Sequence, residues 1–238
     1  MLFLLSWLLL TMLMGLGISL LARWLGSTLL VGAYAGALVI AIVIAGKLGS
    51  IPGFPNLALS ASVFVYSATF IFTDVLAEIW GVKEARKVVY VGAALYPLIF
   101  FTMQFAVNWE PHPVWVENQA GFASTIGNTL RITIASLVSF IVSQFYDVWS
   151  FHYWKKRTKG KHLWLRNNLS TISSQLINTV VFYVIGFYGV FPIVELVLFT
   201  YFIKIIIALV DTPFVYLAVW YLRKHLPEEA QNIKMKNA

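Results

Sequence analysis

The chain has 238 residues, 60% of them hydrophobic and only 11% charged, with a mean hydropathy of +0.80. Ordinary soluble domains carry about 25% charge, so this composition excludes them and points to an integral membrane protein. The formal charge of +7 would suit a nucleic-acid or acidic partner, but the basic residues fall between apolar stretches and report topology instead.

Cysteine is absent, which removes disulfides, thiol chemistry and Cys-ligated metals. The four histidines, His112, His152, His162 and His225, show no metal-ligand spacing on one helix. No cofactor, no metal and no direct nucleic-acid partner is expected.

A membrane-spanning helix needs about 20 mostly apolar residues. Spans are predicted over 2–22, 29–46, 57–77, 88–107, 127–150, 171–190 and 194–222. The fold class is therefore an all-α polytopic membrane bundle of about seven transmembrane helices. The first stretch lacks both a basic leader and a small-residue cleavage site, so it is expected to be retained as a span, and Arg23 after it favours an outside N-terminus.

In the second span Ala33, Ala37, Ala41 and Ala45 recur every four residues, with Gly32 and Gly36 one step behind, a stripe suited to close helix packing. The third span ends in FTDVLAEIW, where Asp74 and Glu78 sit four apart on one face. An acid at the centre of a lone helix costs roughly 2.5–3.5 kcal/mol on insertion scales, and less near the edge. Glu78 is expected at a wet rim, whereas Asp74 needs a partner, a proton or a water-filled cavity.

Lys83, Arg86 and Lys87 follow the third span. Six basic residues, Lys155, Lys156, Arg157, Lys159, Lys161 and Arg166, follow the fifth, and Arg223, Lys224, Lys234 and Lys236 follow the seventh. The connections around 108–126 and 190–194 have no Lys or Arg, and 47–56 has only Lys47. By the positive-inside rule the C-terminus is cytoplasmic. Asn168-Leu169-Ser170 fits a glycosylation pattern but on the wrong side for a glycan, and KKRTKGK reads as a cytoplasmic loop facing anionic lipid.

The fourth span carries Gln104, and the fifth Arg131, Gln144 and Asp147. Gln175 and Asn178 lie in the sixth, with Lys204 and Asp211 in the seventh, where Pro213 can kink the helix. Gln144 and Asp147 are three apart and so neighbours on one surface, as are Gln175 and Asn178. Each group also has a structural explanation: Glu78 and Arg131 can snorkel, amides can bridge helices, and Lys204 can join an ion pair. Charges of both signs with several amides describe a cavity for a small polar solute. A carboxylate accepts from a flat N–H edge while amides and lysine donate to a carbonyl, which is the hydrogen-bonding pattern of a guanine-like base. Composition alone does not single out that base.

IAGKLG (44–49), FTDVLAEIWGVKEARKVVYVG (72–92), GNTLRITIAS (127–136), SQFYDV (143–148), WLRNNLSTISSQLINT (164–179) and YFIKIIIALVDTPFVY (201–216) together resemble the queuosine precursor transporter family, once described as vitamin uptake transporters. The likeness runs from about residue 30 onward. It implies a six-helix core, with 1–28 as an additional N-terminal span, 29–222 as the family-like core and 223–238 as a cytoplasmic tail of one transporter domain in the cell membrane. It also implies a planar, purine-like substrate, a 7-cyano- or 7-aminomethyl-7-deazaguanine precursor of a modified tRNA base. Thr73 with Asp74 matches the family's acidic motif, Arg131 its Arg-x-x-x-Ala-Ser, Gln144 with Asp147 its Gln-x-x-Asp, and Lys204 the lysine of the last helix. Asn178 departs, since the family commonly has aspartate before that threonine.

The leading expectation is a transporter that binds such a base through Asp74, Gln144, Asp147, Gln175, Asn178 and Lys204, with Glu78, Arg131 and Asp211 in gating or structural roles. The alternative is a substrate-capture subunit that borrows an ATP-driven partner, since AGKLGS (45–50) lacks the upstream glycine of a phosphate loop. A membrane enzyme using Asp74 or Asp147 with His152 has no catalytic motif behind it. Oligomeric state, a homo-oligomer included, is left open.

Overall fold

Backbone groups cannot go unpaired in hydrocarbon, so long apolar stretches close their hydrogen bonds as helices. The computed structural model describes residues 2–44, 47–51, 54–127, 130–189 and 193–226. Among the described residues six helices are long and apolar enough to cross a membrane. They are α1 (Leu2–Ile44), α2 (Ser62–Ile79), α3 (Val82–Asn108), α5 (Leu130–Arg157), α6 (Leu163–Phe187) and α7 (Ile193–His225). A 3-10 turn (Pro113–Trp115) and the short α4 (Val116–Ile126) join α3 to α5. An antiparallel pair, β1 (Leu48–Ile51) and β2 (Phe54–Ser60), precedes α2.

The 43-residue α1 contains two runs that meet at Gly26, whose φ of 71° and ψ of −166° suit a residue without Cβ. Its contacts show that the runs point in opposite directions. In the first, Trp7 stacks on Phe64 and Gly15 lies against Ala68 and Ile71, so it runs parallel to α2. In the second, Ser27 donates to Glu84 and Leu38 reaches Gly92, so it runs parallel to α3. α2 and α3 are themselves opposed: Tyr66 and Ala77 of α2 meet Gln144 and Lys155 of α5, whereas Tyr96 and Tyr90 of α3 meet Phe140 and Phe145 in reverse order. The first two expected spans are thus one element turned at Gly26, and six long helices make seven crossings.

α2 is the central helix, with every residue from Ser67 to Trp80 buried. It packs on α1, α7, α3 and α5, and Arg166 of α6 reaches its Glu78. The ends of α2, α5 and α7 and the starts of α3 and α6 share one end of the bundle, rich in Lys and Arg, called here the basic end.

Several boundaries differ from those read from the sequence. The segment around 57–61 is strand and turn rather than the start of a span, because α2 begins at Ser62. α6 begins at Leu163 rather than near 171, about two helical turns earlier than hydropathy suggests. Arg166, Asn167 and Asn168 therefore lie in a buried helical turn instead of a cytoplasmic loop, and Asn168 is engaged by Trp164 O and Thr212 Oγ1.

Close helix approach occurs at other glycines than those of the alanine stripe. A Cβ on Gly32 or Gly36 would meet nothing within 4 Å, whereas one on Gly92 would lie 2.3 Å from Phe140 Cζ and 3.2 Å from Leu38 Cδ2. Phe140 is buried and already packed on Tyr34 and Tyr96, so its ring has little room to yield. Gly92→Ala is expected to destabilise the protein by about 1–3 kcal/mol through overpacking. Gly36→Ala should melt at or above the parent temperature, and a thermal unfolding series in detergent compares the two.

Candidate functional site

The apolar sequence of each helix is interrupted on the side that faces the bundle interior, and the interruptions lie at matching depths. Nearest the end opposite the basic one, a cavity of about 610 Å³ is lined by residues of α2, α3, α5, α6 and α7 together with the second run of α1. Aromatic rings form part of its wall, Tyr66 and Phe70 of α2, Tyr96 and Phe100 of α3, Phe140 of α5 and Phe182 of α6, with aliphatic side chains and polar groups such as Gln104 and Ser136 between them. Its polar edge is formed where α6 and α7 meet. There Lys204 Nζ donates to Asn178 Oδ1 at 2.8 Å and to Thr179 Oγ1 at 3.1 Å, while Asn178 Nδ2 donates to Ser143 Oγ at 3.2 Å.

From one to about three helical turns towards the basic end, roughly 6–16 Å along the axes, lies a second, buried tier. Asp74 follows Phe70 on α2, Gln144 and Asp147 follow Phe140 on α5, Ser174 and Gln175 precede Asn178 on α6, and Asp211 follows Ile207 on α7. Ser174 Oγ donates to Asp147 Oδ1 at 2.9 Å, and Asn167 Nδ2 to Asp211 Oδ1 at 3.4 Å. Asp74 lies in the combined field of Asp147, Asp211, Glu78 and Arg166. Five oxygens in this tier accept no hydrogen bond from the protein: Asp74 Oδ2, Gln144 Oε1, Asn167 Oδ1, Gln175 Oε1 and Asp211 Oδ2. The tier is rich in acceptors and poor in donors, a setting for groups that carry N–H or positive charge. Gln144 Nε2, 3.4 Å from Tyr66 Oη, joins it to the cavity wall.

A third tier closes the basic end. Glu78, expected at a wet rim, is instead 1% exposed and surrounded by cations from three helices. Arg166 Nη2 lies 2.6 Å and Lys155 Nζ 3.1 Å from Glu78 Oε2, and Arg223 pairs with Oε1.

The ten polar residues singled out in the spans thus separate by depth, with Gln104 of α3 on the cavity wall. Asn178 and Lys204 line the cavity; Asp74, Gln144, Asp147, Gln175 and Asp211 lie in the buried tier beneath it; Glu78 sits in the ion cluster. Lys204 and Asp211 do not pair with each other, since each bonds to α6. Arg131 stands apart: it is exposed, and its Nε and Nη2 donate to Ile185 O and Tyr188 O at 2.8 Å, capping the end of α6.

Two groups escaped the sequence reading. The cavity aromatics are indistinguishable by residue type from those facing lipid. On α6, Arg166, Asn167, Ser170, Thr171, Ser174, Gln175, Asn178 and Thr179 form one helical stripe, seven of the eight buried. Its spacing of three, four and one was the signal that would have found Arg166.

Crossing helices with polar interior faces, a cavity between them and one closed end define a multi-pass membrane transporter of small solutes. A family model described as “Putative vitamin uptake transporter” matches residues 60–218. The “Probable queuosine precursor transporter” of Bacillus subtilis (strain 168) is 32% identical over 172 residues, covering 71% of this chain and 73% of that protein. The chain belongs to this family, the queuosine precursor transporters. No solved structure matches it.

The role of Arg131 can be checked directly. Arg131→Ala removes two hydrogen bonds to the last carbonyls of α6 and should lower stability by about 1 kcal/mol. The cavity is expected to survive, so thermal melts with and without ligand should show a lower starting temperature and an unchanged ligand-induced shift.

Proposed function

We propose that this protein imports a 7-deazaguanine precursor of queuosine-type tRNA modification, 7-cyano- or 7-aminomethyl-7-deazaguanine. The observation that carries this reading is the meeting of a cavity with aromatic rings in its wall and a buried tier of unsatisfied acceptors. A flat bicyclic base stacks on Tyr or Phe faces, and its ring N–H and exocyclic amino group need acceptors such as the Asp74 and Asp147 carboxylates and the Gln144 and Gln175 amides. Its carbonyl needs a donor, for which Lys204 is placed at the polar edge. The cavity volume is within the usual range for small-molecule sites, roughly 300–1,000 Å³. The name of the Bacillus relative supports the same substrate class.

The orientation that goes with import has the N-terminus outside and the basic end in the cytoplasm. Lys83, Arg86, Lys87, Lys156, Arg157, Lys159, Lys161 and Lys224 cluster at that end, whereas Lys47 and Arg131 are the basic residues near the other among those described. In domain terms, residues 1–28 are an added first crossing on a core that extends through α7 to His225, and the remainder of the expected tail, 227–238, lies outside the described residues. The family match, which starts at residue 60, leaves the whole of α1 outside it.

A ligand that binds only the folded state stabilises it by about 2.7 kcal/mol at a hundredfold excess over Kd. The purified protein should therefore melt several degrees higher with a 7-deazaguanine and not with adenine, and Asp147→Asn should abolish the shift in protein that remains folded. In liposomes holding this chain alone, uptake of the labelled base should be saturable and lost in Lys204→Ala. Absence of both shift and uptake would sink the substrate assignment, and binding without uptake would point to a missing ATP-driven partner.

A further inference from the structure

We propose that Glu78, Lys155, Arg166 and Arg223 are the gate at the basic end of the transport path, and that the structure is the state closed at that end. The proposal rests on the transporter class, not on the identity of the solute.

Separate polar pairs succeed one another from the cavity to this cluster. Lys204 binds Asn178, Tyr66 meets Gln144, Asp147 holds Ser174, Asp211 holds Asn167, and Arg166 is the next residue on α6. A static bundle gains nothing from a column of buried acids and amides below its cavity, since each is costly in a membrane interior. A path that a polar solute crosses requires them, and the ion cluster then lies across its far end.

The cluster also has the connections of a latch. Its single carboxylate is on α2, its cations are on α5, α6 and α7, and all three converge on that carboxylate. Lys155 Nζ additionally donates to Ala77 O and Glu78 O, and Arg166 Nη1 to Gly160 O and Lys161 O in the α5–α6 turn. Closure thus holds the end of α2 and the α5–α6 turn together through Arg166. Three cations against one carboxylate would repel if Glu78 withdrew, so closing depends on one residue. The Lys155 and Arg223 side chains are 23% and 50% exposed, so both already reach water and can be rehydrated as the end opens.

The absence of cysteine makes the test direct. Ser170 is buried one turn from Arg166 on α6, and Ser136 lines the cavity. Single variants Ser170→Cys and Ser136→Cys of the full chain, reconstituted in detergent, are exposed to a charged methanethiosulfonate reagent. With the gate intact, Ser136→Cys should react and Ser170→Cys should react at least about tenfold more slowly. Adding Glu78→Gln should accelerate labelling of Ser170→Cys by about tenfold, the factor that corresponds to ~1.4 kcal/mol of lost closure. Arg223→Gln, at the half-exposed edge, should accelerate it severalfold and decides the matter if Glu78→Gln yields no folded protein. Rapid labelling of Ser170→Cys with the gate intact would overturn the proposal. So would unchanged protection in the folded variants, the result for a cluster that merely staples the fold.

Discussion

A carboxylate inside a membrane needs a partner, a proton or water within the protein, because the surrounding hydrocarbon offers none of them. That requirement orients every helix that carries one. Asp74 and Glu78 make α2 the central, enclosed element; Asp147 turns α5 towards it; Asp211 turns α7. Leu176, Val180 and Val184 are left facing outward on α6 by the same rotation that buries Ser174, Gln175 and Thr179. α1 and α3 turn few polar groups inward, Ser19 and the cavity-lining Gln104 among them, and supply wall and packing, with Leu38, Gly92 and Phe140 in close contact. The family match from 60 to 218 encloses all the buried acids, while α1 and Arg223 lie outside it.

The polar groups differ in how they are satisfied, and the differences follow depth. Glu78 is matched by three cations, a local excess of positive charge. The tier above it has the opposite imbalance, with oxygens of Asp74, Asp211 and three amides accepting nothing from the protein. Breaking a buried pair typically costs about 3–5 kcal/mol, so the cluster resists opening, whereas the acceptor tier is open to any donor that reaches it. A solute bearing N–H groups gains most in the middle tier and meets resistance at the end. That ordering lets occupancy of one tier bear on the state of the other, because α2 carries Asp74 and Glu78 on the same face, one turn apart.

Hydropathy made the crossings legible, since lipid solvation acts on about 20 residues at once and leaves a strong signal. It misplaced the start of α6, where a buried turn made of Arg166, Asn167 and Asn168 looks like loop to any hydropathy window. The tight turn at Gly26 was equally hard to see, because helical sequence continues on both sides of it. Within the site, the acids and Lys204 were legible from their cost, which needs no knowledge of their partners. The partners were not: Glu78 meets residues 77, 88 and 145 positions away in the chain, and no local pattern encodes such distances. Arg131 shows the reverse case, a charge that the sequence marks as costly and that bonds, among the described residues, to the carbonyl end of a neighbouring helix.

Asn178 marks where the cavity and the acceptor tier are joined. Its Oδ1 takes the Lys204 ammonium and its Nδ2 donates to Ser143 on α5, so one amide orients a hydrogen-bond chain from α7 through α6 to α5. An aspartate in the same place could accept from Lys204 but could not donate; Ser143 would have to reverse its hydroxyl and donate instead. The geometry would survive the exchange, but the direction of the chain and the charge at the cavity edge would not. With asparagine, Lys204 is held by neutral groups and keeps donor capacity for a solute; with aspartate it would be committed to an ion pair. The asparagine therefore leaves the lysine with donor capacity at the polar edge of the cavity, next to the buried acids.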